Sequence, residues 1–207
     1  MNNIKLARLV VGVLAVWLVG CSEQPAAAPQ KKAEEQPEPL TGQSALYRMY
    51  QVARSWAPDC QVLKLDSMRM ADVPDQPGKA GAWEATFVSA ARGTSRSYTW
   101  SAVESTETNL HKGVFQTAEQ PYASKGAEKP FLIAAVKTDT DAALTTAKTK
   151  AADYEKKNPH QPVLFLLEQT DRFPDPAWRV VWGESVGTSS FSVFVDAMSG
   201  GYLSIMH

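Results

Sequence analysis

Two stretches decide the fold: Ala82-Trp83-Glu84-Ala85-Thr86-Phe87 and Ala177-Trp178-Arg179-Val180-Val181-Trp182. In each, a tryptophan opens an alternation of period two, Trp83/Ala85/Phe87 against Trp178/Val180/Trp182. Aromatic and β-branched side chains repeating on every second residue mark a strand with one apolar face. Both stretches then turn through Gly-Thr-Ser, at 93–95 and 187–189, into a third strand at 98–103 and 191–195. Both are preceded by short apolar runs, at 62–65 and 163–167, whose length between turn signals also favours strands. Proline-containing loops, at 72–81 and 170–176, lead into each Ala-Trp pair.

Further upstream each half opens on a helical pattern. In the first, Leu46, Met49, Tyr50, Ala53 and Trp56 recur at spacings of three and four until Pro58. In the second, Asp139 is a good N-cap for a stripe of Ala143, Leu144, Ala147, Ala151 and Tyr154 that stops at Asn158-Pro159. The interval from the stopping proline to the tryptophan is 25 residues in one half and 19 in the other. The surplus falls inside the loop, where added length costs little. The expectation is an α+β fold of two repeated units, each a helix packed on a three- to four-stranded antiparallel sheet, and the two packed together. The unit boundaries are 41–105 and 131–207, joined by a connecting segment at 106–130. Residues 131–136 (Phe-Leu-Ile-Ala-Ala-Val) read as an extra strand ahead of the second helix.

The second half closes on Val195-Asp196-Ala197-Met198-Ser199-Gly200-Gly201. Asp196 can accept the N–H groups of a hairpin corner, and Gly200 can supply a left-handed residue. This ending resembles that of the PepSY family, whose closing strands read V-D-A-x-[ST]-G. Val195, Asp196, Ala197, Ser199 and Gly200 match it. The first half, with Val103-Glu104-Ser105-Thr106 at the corresponding place, lacks both the Asp and the Gly. The resemblance implies a binding or inhibitory module and brings no catalytic residue set with it.

At the amino terminus, Lys5 and Arg8 precede the uncharged apolar run 9–19. A positive segment followed by an apolar stretch too short to span a bilayer reads as a signal peptide, 1–20. It ends Leu18-Val19-Gly20-Cys21, which resembles the lipobox of bacterial lipoprotein signals. The resemblance implies cleavage between Gly20 and Cys21 and acylation of Cys21. Ser22, which is not Asp, resembles a sorting signal for the outer membrane in Gram-negative lipoproteins. Residues 23–40, rich in Pro, Ala, Gln, Glu and Lys, carry no apolar periodicity and read as a disordered tether, able to extend to roughly 60 Å with a typical span nearer 25 Å.

Charge narrows the partners. The whole chain carries a formal net charge of −1. Removing Lys5 and Arg8 takes its 21 basic residues to 19 against 22 acidic ones, a net of −3. No basic field exists to hold nucleic acid or an anionic leaflet, so membrane attachment falls to the acyl chains on Cys21. Two cysteines are too few for a disulfide scaffold or a four-cysteine zinc site.

No catalytic constellation is legible. There is no G-x-S-x-G elbow, and Ser189 and Ser190 read as turn residues. His111, His160 and His207 stand apart, with no paired-ligand spacing. Cys60 reads as a small buried residue, with a reactive thiol as the alternative. Asp139/Asp141 fall at a helix start and Asp171/Asp175 in a proline-rich loop. Trp56, Trp83, Trp178 and Trp182 fit core positions, while the face of Trp100 is open. The sequence therefore leads to the expectation of a lipid-anchored envelope protein facing the periplasm, non-enzymatic, with no cofactor or metal, that contacts a protein or peptide partner. An envelope hydrolase and a structural spacer are the alternatives.

Overall fold

The first helix, α1 (Gly42–Trp56), buries Ala45, Leu46, Met49 and Ala53, a single stripe at helical spacing. It stops where Ala57, held extended ahead of Pro58, cannot take a helical conformation. The second helix, α2 (Thr140–Lys157), buries Ala143, Leu144, Ala147 and Ala151 and ends at Asn158, whose side-chain amide donates to the Tyr154 carbonyl. The computed structural model describes residues 37–123 and 126–207. The signal peptide, Cys21 and most of the tether lie outside these residues.

The strands are β1 (Leu40–Thr41), β2 (Gln61–Met68), β3 (Lys79–Ala80), β4 (Ala82–Ser89), β5 (Thr94–Ser101), β6 (Gly113–Gln116), β7 (Gln120–Pro121), β8 (Val163–Glu168), β9 (Ala177–Trp182), β10 (Phe191–Asp196) and β11 (Tyr202–Met206). The short β1 and β3 pair with each other. The other nine form one antiparallel sheet in the order β11-β10-β9-β8-β2-β4-β5-β6, with β7 also on β5. After α1 the chain lays down the meander β2-β4-β5, and after α2 the meander β8-β9-β10-β11. The first strands of the two meanders meet in the middle, with Leu65 opposite Leu167. The sheet is therefore continuous rather than two separate sheets stacked face to face.

Register shows where the core sits. Val195, Trp178, Leu167, Leu65, Ala85 and Tyr98 stand opposite one another across six strands. Every one of them is 0% exposed. Both helices pack on the face that this row occupies, and Leu46, Met49, Ala143 and Ala147 share its core. Truncating such a side chain to alanine costs about 2–5 kcal/mol.

The two halves are also tied where the helices begin. Asp139 Oδ1 accepts the N–H of Thr140 at 2.7 Å and the N–H of Gln43, in the first turn of α1, at 2.9 Å. One carboxylate thus serves two helix N-termini, where donors are otherwise unpaired and the dipole favours negative charge. The Nε1–H of Trp83 donates to Leu40 O at 3.0 Å and that of Trp178 to Thr138 O at 2.8 Å. Each carbonyl lies two residues ahead of its helix, so each tryptophan of the motif fixes the entry to a helix.

Two expectations need correction. Residues 131–136 do not form a strand. Phe131 makes one bridge, exchanging both backbone bonds with Val62. The pairing of β8 with β2 covers only Lys64–Asp66, and Phe131 takes the vacant slot beyond it. The chain then turns through a 3-10 turn at Ile133–Ala135, because Lys137 and Thr138 must reach the Ala197 carbonyl before α2 begins. The stretch 106–129, which without periodicity reads as irregular and a candidate contact loop, contains β6 and β7, and these extend the sheet along β5.

Candidate functional site

Gly20 and Cys21 lie outside the described residues. Asp196, Ser199 and Gly200 form the corner between β10 and β11. Asp196 Oδ1 accepts the N–H groups of Met198 and Ser199 at 2.8 and 2.7 Å, and Gly200 has φ +74°. A side chain at Gly200 would meet Thr138 Oγ1 at 3.2 Å, and the Gly200 carbonyl accepts from Thr146 of α2. The corner is thereby docked against the start of α2, next to the residue whose carbonyl Trp178 holds.

Among the described residues, no histidine is hydrogen-bonded to a serine or cysteine side chain, and no cluster of ligating side chains is placed to hold a metal ion. His111 Nδ1 lies 2.6 Å from Glu104 on the surface. Ser189 Oγ donates to the Trp182 carbonyl, inside its own turn. Cys60 is 4% exposed, and burial, reinforced by the negative charge of Asp59, pushes its thiol up. Trp83, Trp100, Trp178 and Trp182 are buried, and Trp100 shares the helix-bearing face. Trp56, at the last position of α1, is only half-buried.

Ionisable groups collect in two places. The first is the middle of the sheet, on the face away from the helices. One row there runs Ser204, Phe194, Arg179, Leu166, Asp66, Glu84, Thr99 and Phe115 across eight strands. Lys64 and Glu168 stand opposite each other in the neighbouring row. Lys64 Nζ is 3.1 Å from Asp66. Burial raises the Glu168 carboxyl and Glu128 adds to that, while burial lowers Arg179. Arg179 Nε donates to Ser192 at 3.0 Å. Toward β11, Arg172 lies 4.3 Å over the Phe194 ring, with Phe173 beside it. This face presents charged and apolar side chains together, with Leu166 and Phe194 buried and Phe115 exposed.

The second place is the sheet edge at β5. Glu119, just before β7, reaches back into a cradle of four residues. Trp56 Nε1–H donates to its carboxylate at 2.9 Å, Arg92 at 3.1 and 3.3 Å, Arg96 at 3.3 Å, and Thr94 through its hydroxyl. The guanidinium groups of Arg92 and Arg96 lie 5.9 and 5.3 Å from the centre of the Trp56 ring. Hydrogen bonds from Arg92, then Thr94 and Trp56, hold the Glu119 carboxyl down at about 2. Sequence reading did not find this cluster. Its members come from a helix end, a turn, a strand and a loop, and no spacing relates them.

Among the described residues, no helix is long and apolar enough to cross a membrane. No protein-family model matches the chain, and no curated protein matches it. Among solved structures, the chain is similar to the crystal structure of a candidate lipoprotein from Clostridium difficile 630, at 10% identity and a TM-score of 0.45, over 84% of this chain and 95% of that one.

Proposed function

We propose that this protein is a lipid-anchored envelope protein, held by acyl chains on Cys21, that binds a protein or peptide partner and catalyses no reaction. The anchor is supported by Lys5, Arg8, the apolar run and Leu18-Val19-Gly20-Cys21. Two or three acyl chains on one residue make dissociation from a bilayer negligible. The mature chain faces the periplasm, and Ser22 favours the outer membrane over the inner. The residues between Cys21 and β1 give the folded body room to meet its partner away from the lipid surface.

The observation that carries the binding reading is the one-sided sheet. Both helices cover the same face, and the opposite face carries a row of mixed charged and apolar side chains across eight strands, in which Leu166 and Phe194 are buried and Phe115 is exposed. A face and two sheet edges of this kind suit recognition of extended segments or of another folded surface. We also read the two halves as copies of one PepSY-like unit. The matched order of helix and meander supports this, as do the paired bonds of Trp83 and Trp178 to the carbonyls ahead of each helix.

The test is purification of the lipidated protein from detergent extracts beside its Cys21→Ala variant. Recovery of a stoichiometric partner with the wild type, and loss of the variant to the soluble fraction, are the expected results. An unmodified amino terminus upstream of Cys21 overturns the anchor. Turnover of an ester or peptide substrate with no partner recovered overturns the binding role.

A further inference from the structure

From the cradle around Glu119 we infer a carboxylate-binding site that the chain fills with its own side chain, and whose ligand is an acidic, extended peptide segment that displaces Glu119 and β7. The inference rests on the reading of the protein as a peptide-binding module and says where and how the peptide is held.

Three observations lead there. The cradle presents donors of the kinds that recognise a planar carboxylate: two guanidinium groups, a hydroxyl and an indole N–H, all converging on one pair of oxygens. Even with Glu119 seated, the Nε–H of Arg96, a residue that already grips the carboxylate, is buried with no hydrogen-bond partner. A buried donor left unmade is costly, so the site has more binding capacity than Glu119 uses. Finally, the strand that delivers Glu119 is weakly held. β7 has two residues, and one is Pro121, which has no N–H for the ladder. A longer strand without proline makes more bonds to the Thr94–Ser97 edge of β5 than β7 does.

The carboxylate is favoured over other anions because the present occupant is one, gripped through both oxygens by Arg92. A tetrahedral phosphate offers no such planar pair.

The experiment follows the indole N–H resonance of Trp56 in the full chain, held in detergent micelles and labelled with 15N-tryptophan. Glu119→Ala shifts this resonance, because its acceptor is gone. Adding the peptide Glu-Glu-Glu then moves it saturably back toward the wild-type position. Gln-Gln-Gln and inorganic phosphate leave it in place, and the wild type binds Glu-Glu-Glu at least tenfold more weakly than the variant. Glu119→Ala with Arg96→Ala removes the response. The resonances of Trp83 and Trp178 report whether the core is intact, and Glu119→Gln, which keeps the shape of the side chain ahead of β7, carries the same titration if Glu119→Ala disturbs it. No saturable response to Glu-Glu-Glu, or an equal response to Gln-Gln-Gln or phosphate, overturns the inference. That result leaves the partner-binding reading standing if co-purification succeeds, whereas a responsive cradle in a protein that recovers no partner counts against the wider reading alone.

Discussion

The backbone N–H of Gly42 donates to the hydroxyl of Thr140 at 2.9 Å, across 98 residues of sequence. The Thr140 hydroxyl in turn donates to the Gly78 carbonyl, so one buried hydroxyl ties the first turn of α1, the first turn of α2 and the loop before β3. Gly78, at φ +73°, approaches so closely that a side chain there would meet the Asp141 backbone at 2.5 Å. This junction joins the halves on the helix side, as the β2–β8 pairing joins them within the sheet.

Gly42 tests the tightness of that junction. A Cβ there would lie 2.6 Å from Trp178 Cη2, 2.8 Å from Thr140 Cγ2 and 3.1 Å from Trp83 Cη2. Two fully buried indoles have little room to retreat, so Gly42→Ala is expected to destabilise by about 1–3 kcal/mol despite the better helix propensity of alanine. Urea unfolding measures it, and a midpoint equal to the wild type's means that the tryptophans yield.

The two motif tryptophans should respond alike. Trp83→Phe and Trp178→Phe each keep an aromatic ring but abandon a carbonyl, Leu40 O or Thr138 O. Lost bond and vacated volume together cost about 2–4 kcal/mol in each variant. The chemical denaturation costs should agree within about 1 kcal/mol; a negligible loss in one of them breaks the equivalence.

Asp139 serves two helices, and its removal should cost more than an ordinary cap. A single cap is worth about 1 kcal/mol, so Asp139→Ala is expected to lose about 2 kcal/mol. Asp139→Asn keeps an acceptor oxygen and should recover most of it. Equal losses for the two variants, read from denaturant midpoints, would place the effect in charge rather than in the two hydrogen bonds.

Glu119 sets a pH dependence with a definite sign. Its carboxyl is held at about 2 in the folded protein, below the ordinary 4.5. The folded state therefore binds this proton less readily than the unfolded chain does, and stability rises with pH across that interval. The contribution is complete above about 4.5 and disappears as pH falls toward 2. Denaturant midpoints taken through this window should fall more steeply for the wild type than for Glu119→Gln. Parallel curves would show that the cradle does not distinguish the charged form.

The elements were legible wherever a periodic pattern met a clear stop. The stripe Leu46, Met49, Ala53 and the proline after it gave the reach of α1, and Asp139 with Pro159 bracketed α2. The alternation after Trp83 and Trp178 located β4 and β9. The run from Phe131 misled because an apolar composition is the same in a strand and in a single bridge; only the vacant slot beside Val62 decided between them. The cradle was illegible for a related reason. Trp56 read as a core residue from its helical spacing, and Glu119 stood in a stretch without pattern, so nothing local announced that they meet at 2.9 Å.

The sequence alone determined the helices, the meander strands and the corner at Asp196, since each rests on contacts within a few residues or on one repeating face. Tertiary structure alone decided that the two meanders share one sheet through Leu65 and Leu167, that Asp139 caps both helices, and that Glu119 occupies a nest of arginines. Such pairings join residues tens of positions apart. Their free energy comes from burying apolar surface and satisfying donors between elements already formed, and no local spacing encodes which elements will meet.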